Sequence, residues 1–110
     1  MARSMLIDTD PGTDDAIALL MALGCHLLEI AAITTVGGNV PLYKGTRNAL
    51  SILEYMERTT IPVAPGASRP IEGKFHYSYA FHGLSGLITH LPTPLAHRSP
   101  KNAMEMMNQI

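Results

Sequence analysis

The stretch Met5-Leu6-Ile7-Asp8-Thr9-Asp10-Pro11-Gly12-Thr13-Asp14-Asp15-Ala16 decides the architecture. Its first three residues form a short apolar run, and Asp8 to Gly12 is a turn signal. The segment therefore reads as a buried strand closed by a turn. Thr13 or Asp14 can cap a helix that continues through apolar residues to Gly24. Apolar residues cover most faces of that helix, which predicts burial against a sheet.

The same alternation continues downstream. Residues 30–36 are β-branched and almost wholly apolar, as expected of a central parallel strand, and Gly37-Gly38-Asn39 ends it. A second helix is predicted over residues 42–58, where Ala49, Ile52, Leu53 and Met56 recur at three- and four-residue spacing. Residues 61–64 read as a third short strand. Strand, helix, strand, helix, strand implies an α/β fold with an open, mostly parallel, Rossmann-like sheet and flanking helices.

Residues 65–100 lose the pattern. Prolines punctuate them, and Phe75, Tyr77, Tyr79 and Phe81 crowd their middle. A loop this long in a compact domain is expected to serve function or to move. Ser99 as N-cap and Pro100 at the first helical position predict a last helix over residues 101–110, with Ala103, Met106, Met107 and Ile110 on one side.

Composition sets the outer limits. The chain has 110 residues, 46 % apolar and 15 % charged, which argues against disorder. Eight basic and nine acidic residues give a net charge of −1, so no global field favours nucleic acid or an anionic membrane. Its longest strongly apolar stretch is too short to span a bilayer, and no signal-peptide pattern opens the chain. Cys25 is the sole cysteine, which excludes an internal disulfide and a multi-cysteine zinc site and makes a cytoplasmic setting the simplest expectation. Cys25 reads as a small buried residue.

All four aspartates of the chain lie between Asp8 and Asp15, while its five glutamates are scattered. In open parallel sheets, ligands bind outside the carboxyl ends of the strands. Asp8, Asp10, Asp14 and Asp15 are expected at the end of the first strand and Gly37-Gly38-Asn39 at the end of the second, brought together by strand pairing. Crowded carboxylates repel, and a hard cation relieves them; an all-oxygen ligand set suits Ca²⁺ or Mg²⁺. Each residue also has a structural reading. Asp14 and Asp15 suit the first turn of a helix, where the dipole stabilises carboxylates by roughly 0.3–1 kcal/mol, and Asp8 and Asp10 suit a turn.

Two family resemblances follow. Asp8-x-Asp10 after an apolar strand resembles the haloacid-dehalogenase-like phosphotransferases, in which the first aspartate is a nucleophile and the second a general acid. The residue at their threonine position is Gly12 here, and that pattern leaves the Asp14-Asp15 pair unexplained. The whole segment Asp8 to Ala16 resembles the N-terminal signature of the nucleoside hydrolases, including the inosine–uridine-preferring type. Val36-Gly37-Gly38-Asn39-Val40, Pro62 to Ala67 with Pro70-Ile71, and His82-Gly83-Leu84-Ser85-Gly86-Leu87 resemble further segments of that family in the same order. Many relatives have aspartate where Ser85 stands.

The second resemblance implies a Ca²⁺-dependent N-ribohydrolase that splits ribonucleosides into ribose and free base. It implies Asp10 and Asp15 as Ca²⁺ ligands, with Asp10 also taking a proton from the attacking water. Asp14 and Asn39 would hydrogen-bond ribose hydroxyls, His82 would belong to a loop closing over the nucleoside, and Asp8 would support the site. Nucleoside hydrolases are longer chains, with further Ca²⁺ ligands and a leaving-group histidine in later segments. Residues 1–110 are accordingly expected to be the N-terminal portion of a single such domain, with an incomplete site that is inactive by itself, with full-length relatives as homo-oligomers and with the remaining sheet beyond the last helix. A non-catalytic α/β module holding a cation or a ribosyl ligand is the alternative from another class.

Overall fold

A computed structural model describes residues 2–73 and 91–110 of the chain. Strand β1 (Arg3–Thr9) leads through the Asp10-Pro11-Gly12 turn into helix α1 (Thr13–Gly24). Strand β2 (Leu28–Thr35), helix α2 (Leu42–Tyr55), strand β3 (Val63–Pro65) and helix α3 (Ala103–Gln109) follow. All pairings are parallel, and the sheet order is β1-β2-β3 among the described residues. The expected α/β alternation is therefore present.

The sheet is covered on both faces. On one side Ala16, Leu19 and Leu23 of α1 and Ala49, Ile52 and Leu53 of α2 pack on Ile30, Ile33 and Val63, with Met5 and Ile7 beside them. On the other, Met106 of α3 packs on Ala32 and Ala64, with Leu6 alongside. Burial on this scale is the main stabilising contribution to such a domain. Ile30 and Ile33 share a face although they are three residues apart. A register shift explains this: Met5 pairs with Ile30 but Leu6 with Ala32, so Ala31 is an extra residue in β2. Such a bulge inverts the in–out alternation of everything after it.

Several boundaries differ from the sequence-based expectation, each for a local reason. Gly12, not Thr13 or Asp14, is the N-cap of α1; it offers its carbonyl to Ala16 N–H at 2.9 Å. Helix α1 is not buried all round, since Ile17 and Met21 are 54 % and 71 % exposed. Helix α2 stops at Tyr55 rather than 58 because Glu57 adopts φ +56°. Glu57 N–H then donates to Glu54 O at 3.2 Å and Arg58 N–H to Leu53 O at 2.8 Å, the paired bonds of a Schellman ending. Helix α3 begins after Asn102, not Ser99. The Asn102 side chain accepts from Glu105 N–H at 2.9 Å, and Glu105 returns a bond to Asn102 N–H at 3.3 Å, a complete capping box. Ser99 Oγ instead accepts from Lys101 N–H in the preceding turn. Met107 and Ile110 are exposed, and Cys25 is only partly buried.

Candidate active site

Strand pleating divides the aspartates. In β1, Met5 and Ile7 face α1 and α2 while Leu6 faces the α3 side, so Asp8 follows Leu6 and Thr9 follows Ile7. Asp8 Oδ1 accepts from Thr34 Oγ1 at 2.7 Å, across the β1–β2 ladder where the two residues are register partners. On the other face Thr9 Oγ1 donates to Asp15 Oδ2 at 2.8 Å, and Asp10 N–H donates to the same oxygen at 3.2 Å. Two donors on one oxygen fix the Asp15 carboxylate and leave Oδ1 as its second acceptor.

The end of β2 completes the arrangement. Asn39 N–H donates to Asp10 Oδ2 at 3.1 Å, and Asn39 Nδ2 donates to the Asp10 carbonyl at 3.0 Å. Gly38 makes this approach possible: a Cβ there would fall 2.3 Å from Asp10 Oδ2. The loop itself is closed by Val36 N–H to Thr9 O at 3.1 Å and Gly37 N–H to Ala67 O at 2.9 Å. Beneath it, Thr35 and Thr46 share a hydroxyl bond of 2.8 Å, and Asn48 Nδ2 donates to Pro11 O at 3.0 Å.

Asp10, Asp15 and Asn39 are thus brought together, as the sequence predicts. The expected crowding of all four carboxylates is not found. Asp8 lies on the opposite face of the sheet, engaged by Thr34, and Asp14 is exposed on the first turn of α1. Among the described residues, no three His, Cys, Asp or Glu side chains gather as a metal-holding group. The pair that remains is still electrostatically loaded. Burial raises the Asp10 carboxyl above its ordinary value, and hydrogen bonding with Asp15 and the charge of that carboxylate add to the rise. The Asn39 N–H acts in the opposite direction by stabilising the ionised form. Two adjacent carboxylates are oxygen donors of the kind a hard cation selects, and they would supply part of the about six to eight oxygens that Ca²⁺ takes.

His82 lies outside the described residues, as do Ser85 and the aromatic cluster Phe75, Tyr77, Tyr79 and Phe81. A cavity of 190 Å³ borders the site beside Asp8, Thr9 and Asp15. A larger one, 510 Å³, lies between α2 and residues 93–98 and includes none of the aspartates. The chemistry locates the site better than cavity size does.

The comparisons with known proteins fit this geometry. The family model described as inosine-uridine preferring nucleoside hydrolase matches residues 5–110. The chain belongs to that family. As a nucleoside hydrolase chain, it is 43 % identical over 111 residues to the pyrimidine-specific ribonucleoside hydrolase RihA of Photobacterium profundum, covering 100 % of this chain and 36 % of that protein. It is also 43 % identical over 109 residues to uridine nucleosidase 1 of Arabidopsis thaliana, covering 97 % and 32 %. Among solved structures, the purine-preferring ribonucleoside hydrolase from Gardnerella vaginalis superimposes with a TM-score of 0.89 at 28 % identity, covering 97 % of this chain and 35 % of that one. The nucleoside hydrolase chain therefore spans about a third of the length of these relatives. Family membership displaces the phosphotransferase reading of Asp8 as a nucleophile.

Thr9, Thr34, Thr46 and Asn48 take part in this arrangement without being assigned to it by the sequence. A signal existed for two of them. Thr34 interrupts an otherwise apolar strand, and Asn48 occupies the apolar stripe of α2 between Gly45, Ala49 and Ile52. A polar residue on a buried stripe asks for a partner.

Proposed function

We propose that this chain provides the strand-end part of a Ca²⁺-dependent ribonucleoside N-ribohydrolase, within residues 1–110 as the N-terminal portion of one nucleoside hydrolase domain. The observation that carries the reading is the Asp10–Asp15–Asn39 arrangement at the carboxyl ends of β1 and β2. Asp10 and Asp15 are assigned as the residues that hold Ca²⁺. The cation would supply positive charge that orients sugar hydroxyls and makes a water more acidic. Asp10 accepts the proton of the attacking water at its carboxylate; a raised proton affinity suits that task. Loss of the base passes through an oxocarbenium-like state, which fixed carboxylate charge stabilises.

Asp14 and Asn39 are assigned to the ribose hydroxyls. Asp14 is exposed at the start of α1, and Asn39 keeps its Oδ1 and one N–H after bonding Asp10. Asp8 supports the site through its bond across the ladder to Thr34. His82 remains assigned to substrate contact by resemblance alone. One relative is named for pyrimidine specificity and a structural neighbour for purine preference. The strand-end residues are accordingly read as recognising the ribose, with base choice made elsewhere. A cytoplasmic location fits the single Cys25, and among the described residues no helix is long and apolar enough to cross a membrane. Exposed Ile17 and Met21 on α1 suit association into a homo-oligomer.

The test measures ribose release from inosine and uridine with Ca²⁺ and with a chelator. The reading expects Ca²⁺-dependent turnover, abolished by Asp10→Ala, when residues 1–110 are joined to the later segments that complete a nucleoside hydrolase domain, and little or none from residues 1–110 alone. Ca²⁺ binding without turnover in that longer protein would favour the non-catalytic module instead.

A further inference from the structure

We propose that Asn48 is a positioning residue for the aspartate-bearing turn, a role that rests on the reading of Asp10 and Asp15 as the site. Asn48 is 6 % exposed and lies on the buried stripe of α2 with Gly45, Ala49 and Ile52. An apolar side chain would satisfy packing at that place. The asparagine instead directs Nδ2 to the carbonyl of Pro11, 37 residues earlier, at 3.0 Å. Pro11 is itself buried, so its carbonyl needs a partner inside the protein.

A second contact fixes the same place. Pro11 rests on Gly45, one turn earlier on α2, where an added Cβ would lie 3.4 Å from Pro11 Cδ. The ring is seated on the helix and the carbonyl is tethered to it. Pro11 is bracketed by the two groups whose relative placement matters. Asp10 precedes it, and Gly12 after it caps α1, whose first turn bears Asp14 and Asp15. Thr46, between Gly45 and Asn48, bonds Thr35 at the end of β2. One face of α2 thus holds the turn after β1 and the end of β2 in a common frame. Without the Asn48 bond the Pro11 carbonyl loses its tether, and the turn is free to tilt Asp10 relative to Asp15.

The experiment compares Asn48→Ala and Asn48→Asp with Leu53→Ala, a core variant that leaves a cavity away from the turn. Ca²⁺ binding is measured by calorimetry, and backbone amide positions by ¹⁵N–¹H spectra of the Ca²⁺-free protein. The expected result is a loss of Ca²⁺ affinity of about tenfold in Asn48→Ala, the size typical for partners that orient metal ligands. Asn48→Asp should lose more, because it turns a donor into an acceptor against the Pro11 oxygen. Leu53→Ala should lose stability and keep its affinity. In the spectra, the amides of Asp10, Gly12, Asp15 and Asn39 should move in both Asn48 variants. Should Asn48→Ala fail to fold, Asn48→Ser takes its place in both arms. Unchanged affinity with amide changes confined to residues 44–52 overturns the proposal. If the parent protein binds no Ca²⁺, the metal reading fails, while the spectra still decide whether Asn48 positions the turn.

Discussion

Asn39 grips Asp10 at both ends, its backbone N–H on the carboxylate at 3.1 Å and its side-chain amide on the carbonyl at 3.0 Å. The residues are 29 positions apart, so this double bond fastens the end of β2 to the turn after β1. Asn39→Ala keeps the first bond and loses the second. A loss of about 1 kcal/mol is expected in urea unfolding, the usual net worth of one such bond. Asn39→Asp should cost more without cations, because it adds a third carboxylate beside Asp10 and Asp15, and added Ca²⁺ should recover part of the loss.

Asp10 makes stability depend on pH in the direction opposite to most carboxylates. Its folded-state pKa is raised, chiefly by burial, so the folded protein binds the proton more tightly than the unfolded chain. The associated stability is fully present below the ordinary carboxylate value and is lost as pH rises through the raised one. Asp10→Asn cannot ionise. In thermal melts without divalent cations it should be more stable than the parent at neutral pH, and the advantage should vanish in acid. An advantage that persists at low pH would contradict this account.

Gly38 offers a steric test of the same place. A Cβ at 2.3 Å from Asp10 Oδ2 is too close to accommodate unchanged. Gly38→Ala should destabilise the fold by about 1–3 kcal/mol, as overpacking does. Because the clash is with a side chain, Gly38→Ala combined with Asp10→Ala should cost less than the two single changes added together. Denaturant midpoints of the four proteins close the cycle.

The fold was largely legible because hydrophobic periodicity reports burial directly: Met5 to Ile7, residues 30–35, and the Ala49, Ile52, Leu53 stripe all became core or sheet, while Val36 lies just past the end of β2. Asp10, Asp15 and Asn39 were legible because parallel strand ends meet at one edge of the sheet. The parting of Asp8 from Asp15 was not read from the motif, although it follows from pleating: Asp8 leaves the strand beside Thr34 and Thr9 beside Asp15. The bonds of Thr46 to Thr35 and Asn48 to Pro11 are tertiary, and no local rule pairs a helix stripe with a distant turn. Helix ends shifted for similar reasons. Asn102 with Glu105 outcompetes Ser99-Pro100 because it satisfies two N–H groups at once.

Glu57 gives a prediction remote from the site. It holds the left-handed position that ends α2, where a side chain meets steric cost and glycine does not. Glu57→Gly should raise the unfolding free energy by up to about 1 kcal/mol, with Ca²⁺ affinity unchanged. A lower melting temperature would show that the Glu57 side chain contributes something the backbone conformation does not reveal.

The order β1-β2-β3 places the aspartate-bearing strand at one margin of the described sheet. Its amides divide into two populations. Those turned towards β2 are held in the ladder and should exchange hydrogen slowly; those turned outward meet no strand among the described residues and should exchange fast. The strand that carries Asp8 and leads to Asp10 is thus a ruler along its own length. Anything laid against its outer side would register as slow exchange at every second residue, before any effect on chemistry is seen.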